Sequence, residues 1–272
     1  MREHIGMDAE IAVGVGSAAV SVVGAVAAGV MTTWSAQRTR RYESLIAAQQ
    51  KAQSKAEQAE AILSRYREPL LNAAQNLHSR LYNIVEYDVL GSQLQCGDPD
   101  LERYARDYTV YVFAEYLCWA EIIRRDLRFL DLGTESRNRE LVRLLEANQL
   151  AIASEAMPKP LRLFRGQQRA IGELMMTPTG DPGPAQYESL GYVRFCEQVD
   201  NDPVFARWFR RLRDNLEELA EAWHADQAGV VALQHSLVDL IEFADPLHLR
   251  LPARYRDRLM SSNKEPPTAR DR

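Results

Sequence analysis

Two glutamates, Glu115 and Glu121, fall inside the apolar stretch 108–123, YTVYVFAEYLCWAEII, where a carboxylate is costly unless paired or protonated. Kept neutral by burial, such a group serves as a general acid. Its commoner fate is an arginine partner. Arginine abounds here, since only Lys51, Lys55, Lys159 and Lys264 among the 33 basic residues are lysines.

A second cluster lies in the segment LRLFRGQQRAIGELMM, which places Arg162, Arg165 and Arg169 on one helical side. Phe164, Ile171, Leu174 and Met175 take another side. Guanidinium groups bind phosphate and carboxylate through two parallel hydrogen bonds, so this face suits a phosphate, a lipid headgroup or an acidic partner. Internal salt bridging is the competing reading. Gly166 and Gly172 lack the spacing of a P-loop.

Other chemistry is not signalled. Glu221 and His224 have a Glu-x-x-His spacing, but the nearest second copy, Asp245-Pro246-Leu247-His248, is broken by proline, so no metal is expected. Cys96, Cys118 and Cys196 are scattered, without a CxxC, and read as free thiols of a reducing compartment. GxSxG, HExxH, EF-hand and kinase signatures are absent, and no cofactor is expected. A net charge of −5 and a pI near 5.7 make nucleic acid a poor partner.

The elements that hold these residues begin with residues 11–31, an uncharged run of twenty-one residues. At about 1.5 Å per residue, a helix of that length covers a hydrocarbon core of about 30 Å. Its GVGSAA segment imitates a dinucleotide-binding turn, yet no acidic second strand follows; Glu3, Asp8 and Glu10 likewise oppose a signal peptide. Residues 11–34 therefore read as a single transmembrane helix after a short extracytoplasmic N-terminus, 1–10. Arg38, Arg40 and Arg41 place the C-terminal side in the cytoplasm. Ser17, Ser21, Ala25 and Gly29 form a small-residue stripe suited to self-association.

Residues 35–68 read as a juxtamembrane helix ending at Glu68-Pro69. Its weak heptad seam runs through Tyr42, Leu45, Gln49, Ala52, Ala56, Ala59, Leu63 and Tyr66, which points to a homodimer or a solvated stalk. Residues 69–256 read as an irregular multi-helix bundle and 257–272 as a disordered tail, so the fold class is all-α. Leu70, Ala74, Leu77, Leu81, Ile84 and Val85 form the apolar face of its first helix, beside an uncharged polar stripe of Asn72, Asn76, Ser79 and Asn83. A later helix opened by Asp202-Pro203 buries Phe205, Trp208, Phe209, Leu212, Leu216, Leu219 and Trp223 on one stripe. Its arginines, 207, 210, 211 and 213, precede its glutamates, 217, 218 and 221, which opposes the helix dipole and calls for partners elsewhere. The chain is thus expected to be a membrane-anchored interaction module with an unknown protein partner. The alternative is a tethered enzyme that uses Glu115 or Glu121 with the arginine cluster.

Overall fold

The computed structural model describes residues 43, 45–54, 57, 66–128, 136–179, 187–222 and 227–260. The chain divides into two units, residues 1–57 and 58–272. In the first unit the described residues are helical and exposed, Leu45 and Ile46 among them. The expected membrane span and its Ser17, Ser21, Ala25 and Gly29 stripe lie outside the described residues. Among the described residues no helix is long and apolar enough to cross a membrane.

The second unit is a helical bundle. Its first described helix, α1, covers 66–87 and runs through Glu68 and Pro69, so the helix end expected there does not occur. All six residues of the expected apolar face are buried except the half-buried Val85. Tyr66, expected to close the heptad seam, is buried in this bundle with its ring 6.4 Å from that of Trp119. It is spent on the core and unavailable to a second helix.

Asp88, in the left-handed conformation at φ 47°, separates α1 from the short α2, Val89–Gln93. The central helix is α3, Pro99–Arg128, apolar on several sides as its sequence demands. It packs against α5 (Arg165–Leu174), α6 (Tyr192–Asn201) and α7 (Pro203–Asp214). Gly172 allows the α3–α5 approach, because a Cβ there would sit 2.7 Å from the Leu117 carbonyl oxygen. A second pair is α4 (Ser136–Ala153) against α9 (Ala228–Ala244), bridged by Asn148 Nδ2, which donates 2.9 Å to the Leu144 carbonyl and 3.3 Å to that of Ser236.

The all-α expectation holds apart from one small hairpin. Strand β1 (Met176–Pro178) pairs antiparallel with β2 (Tyr187–Ser189), in the register Met176 to Ser189. Three-residue strands lack the alternating run by which a strand is recognised, and Pro178 sits at an end, where no ladder donor is required.

The Asp202-Pro203 start is as expected: the Asp202 carboxylate accepts from the N–H groups of Val204 at 2.8 Å and Phe205 at 3.1 Å. The long helix then breaks at Asn215, and α8 is Leu216–Ala222. This break resolves the inverted charge order. Arg211 and Arg213 occupy the last turn of α7 while Glu217 and Glu218 occupy the first turn of α8, so both sets complement a helix dipole.

After α9 the chain turns at Asp245, whose carboxylate accepts from the N–H groups of Leu249, Arg250 and Leu251 and from Arg256 at 2.8 Å. A 3-10 turn (Ala253–Arg256) leads into a strap at 257–260, where the composition predicts the start of a disordered tail. Gln234 holds the strap by donating 2.7 Å to the Asp257 carbonyl and accepting 3.1 Å from the Leu259 N–H. Leu259 is consequently buried. Residues 261–272 lie outside the described residues.

Candidate functional site

Helix α3 carries both glutamates, six residues apart, and so turns them to different sides. Glu121, only 3% exposed, receives Arg124 Nε at 2.6 Å and Arg125 Nε at 3.0 Å, and Arg125 continues to Glu173 of α5 at 2.6 Å. Burial works against its charge, but the two guanidinium groups overcome that cost and hold its carboxyl below the ordinary value. The arginine partners come from its own helix and not from Arg162, Arg165 or Arg169.

Among the described residues no arginine lies within ion-pair distance of Glu115. Its oxygens accept from Asn76 Nδ2 at 3.2 Å and from the Tyr111 hydroxyl at 3.3 Å. Burial pushes its carboxyl above the ordinary range, against those two hydrogen bonds. The amide stripe on α1 thus serves, at Asn76, as a contact between helices. One turn further along α1, the buried Arg80 donates through Nε to Thr109 Oγ1 and through Nη2 to the Ala105 carbonyl, each at 2.8 Å, and lies 5.7 Å from the Tyr108 ring centroid. Nothing in the sequence singled Arg80 out, since a lone arginine beside an apolar stripe reads as a solvated edge.

The arginine cluster is built by the turn after α4 and the start of α5. Residues 154–164 contain Pro158 and Pro160, which end helical structure, and α5 restarts at Arg165 with the Phe164 N–H donating 2.9 Å to Gln167 Oε1. Arg165 and Arg169 are exposed one turn apart, and Arg162, half-buried, has a buried Nε with no hydrogen-bond partner. Helix α7 packs against α5 and extends this face, with Arg211 Nη2 donating 3.3 Å to the Lys159 carbonyl. Arg207 is exposed one turn before Arg211. Among the described residues, none of these five arginines has a carboxylate within ion-pair distance.

Two aromatic side chains differ from expectation here. Helical spacing puts Phe164 and Trp208 on apolar stripes, yet they are 54% and 36% exposed. Each accompanies an arginine, with the Arg162 guanidinium carbon 5.8 Å from the Phe164 ring centroid and that of Arg207 5.5 Å from Trp208. Each ring neighbours its arginine in sequence, so only its exposure was hidden. Helical spacing alone also cannot tell the middle of a buried stripe from its edge.

The described residues hold no group of three or more metal-ligating side chains. Cys118 is buried, and burial pushes its thiol up to about 12, far from a thiolate nucleophile at neutral pH. Comparison with protein-family models, with curated proteins and with solved structures gives no match to this chain.

Proposed function

We propose that this chain is a membrane-anchored, cytoplasmic helical module that works by docking to an anionic partner. The observation that carries the reading is the arginine face of α5 and α7, whose cations have no carboxylate within ion-pair distance among the described residues although carboxylates outnumber bases in the chain. Unpaired charge of one sign held on packed helices offers Coulombic steering and recognition without further folding cost. Anchoring rests on the uncharged run 11–31 and its trailing arginines. Flotation of the full chain on vesicles, without detergent, tests it: the chain rises with neutral lipid, and recovery in the soluble fraction overturns the anchored reading.

Self-association through residues 11–66 belongs to the same reading, supported by the small-residue stripe and by the exposure of Leu45 in the described helix. Crosslinking of single-cysteine variants at Ala52, Ala56 and Ala59 tests it, with efficiency above that of a Lys55 control as the expected result. The burial of Tyr66 ends any such seam before the bundle.

Glu115 favours a second reading, a tethered enzyme of unfamiliar type. It is a half-buried carboxyl raised by burial, beside a tyrosine hydroxyl and without an arginine within ion-pair distance among the described residues, as a general acid requires. Under that reading Glu115→Gln abolishes turnover while leaving the fold intact, whereas under the docking reading it leaves partner binding unchanged.

A further inference from the structure

We infer that the α5–α7 arginine face binds an anionic phospholipid surface, with Phe164 and Trp208 entering the headgroup boundary beside their arginines. This rests on the docking reading above and names its partner. Three observations combine.

The first is charge complementarity. Lys159 and Arg162 lie on the turn before α5, Arg165 opens α5, and Arg207 and Arg211 lie on α7, where Arg211 reaches that turn; none has a carboxylate within ion-pair distance among the described residues. Arg165 is also the first residue of α5, where the positive end of the helix dipole repels it. An external anion relieves both charges at once.

The second is the exposed aromatics. A soluble anion such as free phosphate is recognised by guanidinium groups alone and gives no use to a half-exposed phenylalanine and a one-third-exposed tryptophan. A membrane interface takes both groups, because indole and phenyl rings settle at headgroup depth while arginines meet the phosphates. Val204, exposed one turn before Trp208, adds apolar surface at the same flank.

The third is accessibility. Helices α5 and α7 pack together, and Phe164, Arg165, Arg207 and Trp208 are all exposed on them and on the turn before α5, so a surface can reach them from outside. Nucleic acid would use the same cations, and the net charge of −5 opposes any polyanion at long range, so the cluster acts at short range and an oligonucleotide competitor separates the two partners.

The test uses the full chain with Val204→Cys carrying a polarity-sensitive fluorophore, on a Cys96→Ser, Cys196→Ser background. Cys118 is fully buried and stays in place. Vesicles are phosphatidylcholine alone or phosphatidylcholine with phosphatidylglycerol. Flotation reports anchoring, and the fluorophore reports docking of the face. The expected result is a blue shift on anionic vesicles only, reversed in about 1 M salt, where screening cuts the Debye length to about 3 Å. R162Q/R165Q/R207Q/R211Q weakens this docking at least about tenfold, and replacing the same four arginines by lysine restores most of it.

Equal emission on neutral and anionic vesicles overturns the proposal, as does undiminished docking by a folded glutamine variant. A shift produced by a single-stranded oligonucleotide or a polyglutamate peptide, and not by vesicles, overturns the lipid assignment in favour of a soluble polyanion. Failure to float on neutral vesicles counts against the anchor alone, because the anionic-lipid shift is read separately.

Discussion

Helix α7 has two sides that use the same residue type for opposite ends. On one side Arg213 Nε donates 2.9 Å to Asp107, a carboxylate 2% exposed in the middle of α3, and Asp200 of α6 lies 3.7 Å away. Arg103 of α3 pairs with the same two acids, and Arg106 Nε reaches Glu217 of α8 at 3.1 Å. These charges knit four helices together. On the other side Arg211 reaches the turn before α5 and Arg207 is exposed one helical turn earlier, with no acid in reach of either among the described residues. Arginine in this fold is therefore sorted by which flank of a helix it occupies, and the flank decides whether it is structural or available.

The largest effect should come from breaking the paired side. Asp107→Ala deletes the buried acceptor shared by Arg213 and Arg103; these guanidinium groups are 27% and 54% exposed and keep Asp200, so the cost falls below the about 3–5 kcal/mol of a fully buried pair, to about 2–3 kcal/mol by denaturant unfolding. Replacing Asp107 and Arg213 together by leucine and methionine should cost less than Asp107→Ala alone, because no orphaned charge remains. If Asp107→Ala proves neutral, the network is ornament on a packed surface, and the contrast between the two flanks disappears.

How much of this was legible in sequence divides along the same line. The apolar face of α1 was readable, because burial on one side leaves a repeat of 3–4 residues, and α3 was readable as a buried helix from its nearly continuous apolar run. The misplaced order of arginines before glutamates was legible as a problem, and its solution, the break at Asn215, was not. Asn215 interrupts helix only weakly by propensity and needs the packed ends of α7 and α8 to decide. The arginine face was half legible. Arg162, Arg165 and Arg169 share a segment, whereas Arg207, Arg211 and Trp208 join them only through the packing of α7 on α5. Glu115 and Glu121 looked alike in sequence, and only the position of neighbouring guanidinium groups separates them.

A second prediction extends the paired class to the C-terminal turn. Burial works against the Asp245 carboxylate, but the N–H groups of Leu251, Arg250 and Leu249 together with Arg256 outweigh it and hold the carboxyl at about 2. An unfolded aspartate titrates near 3.8, so this stabilisation is fully present above that value and is lost as pH falls toward about 2. Asp245→Asn should cost about 2 kcal/mol at neutral pH, and the difference from the parent chain should vanish near pH 2. A constant difference across that range would show that the charge is irrelevant there.

A smaller and separable effect concerns His78, which sits between α1 and the C-terminal strap with Nε2 2.7 Å from Gln234 Nε2 and 3.2 Å from the Asp257 carbonyl. Burial lowers its pKa from 6.5, against the pull of the Asp257 carbonyl. The unfolded chain therefore takes up the proton first, and stability contributed above pH 6.5 declines as pH falls toward the folded value. His78→Gln should flatten that slope while leaving the lower window of Asp245 intact. Unfolding curves taken across both windows distinguish the two groups, and an unchanged slope in His78→Gln removes His78 from the account.

The smallest effect is expected on the unpaired side, and its smallness is what the comparison requires. R162Q/R165Q/R207Q/R211Q removes four charges that have no carboxylate partner among the described residues. Surface substitutions away from caps and buried groups stay within about 0.5 kcal/mol, and easing repulsion among like charges offsets part of even that. Arg162 should account for most of any loss, because its half-buried stem covers apolar surface next to Phe164, and the Arg211 bond to the Lys159 carbonyl is a long one at 3.3 Å. Arg213→Gln, six positions beyond Arg207 on the same helix, should by contrast cost about 2 kcal/mol. Thermal melts of the two variants in parallel decide the matter. A loss above about 1 kcal/mol in the quadruple variant would place these arginines with the structural set and leave no free cations for a partner to find.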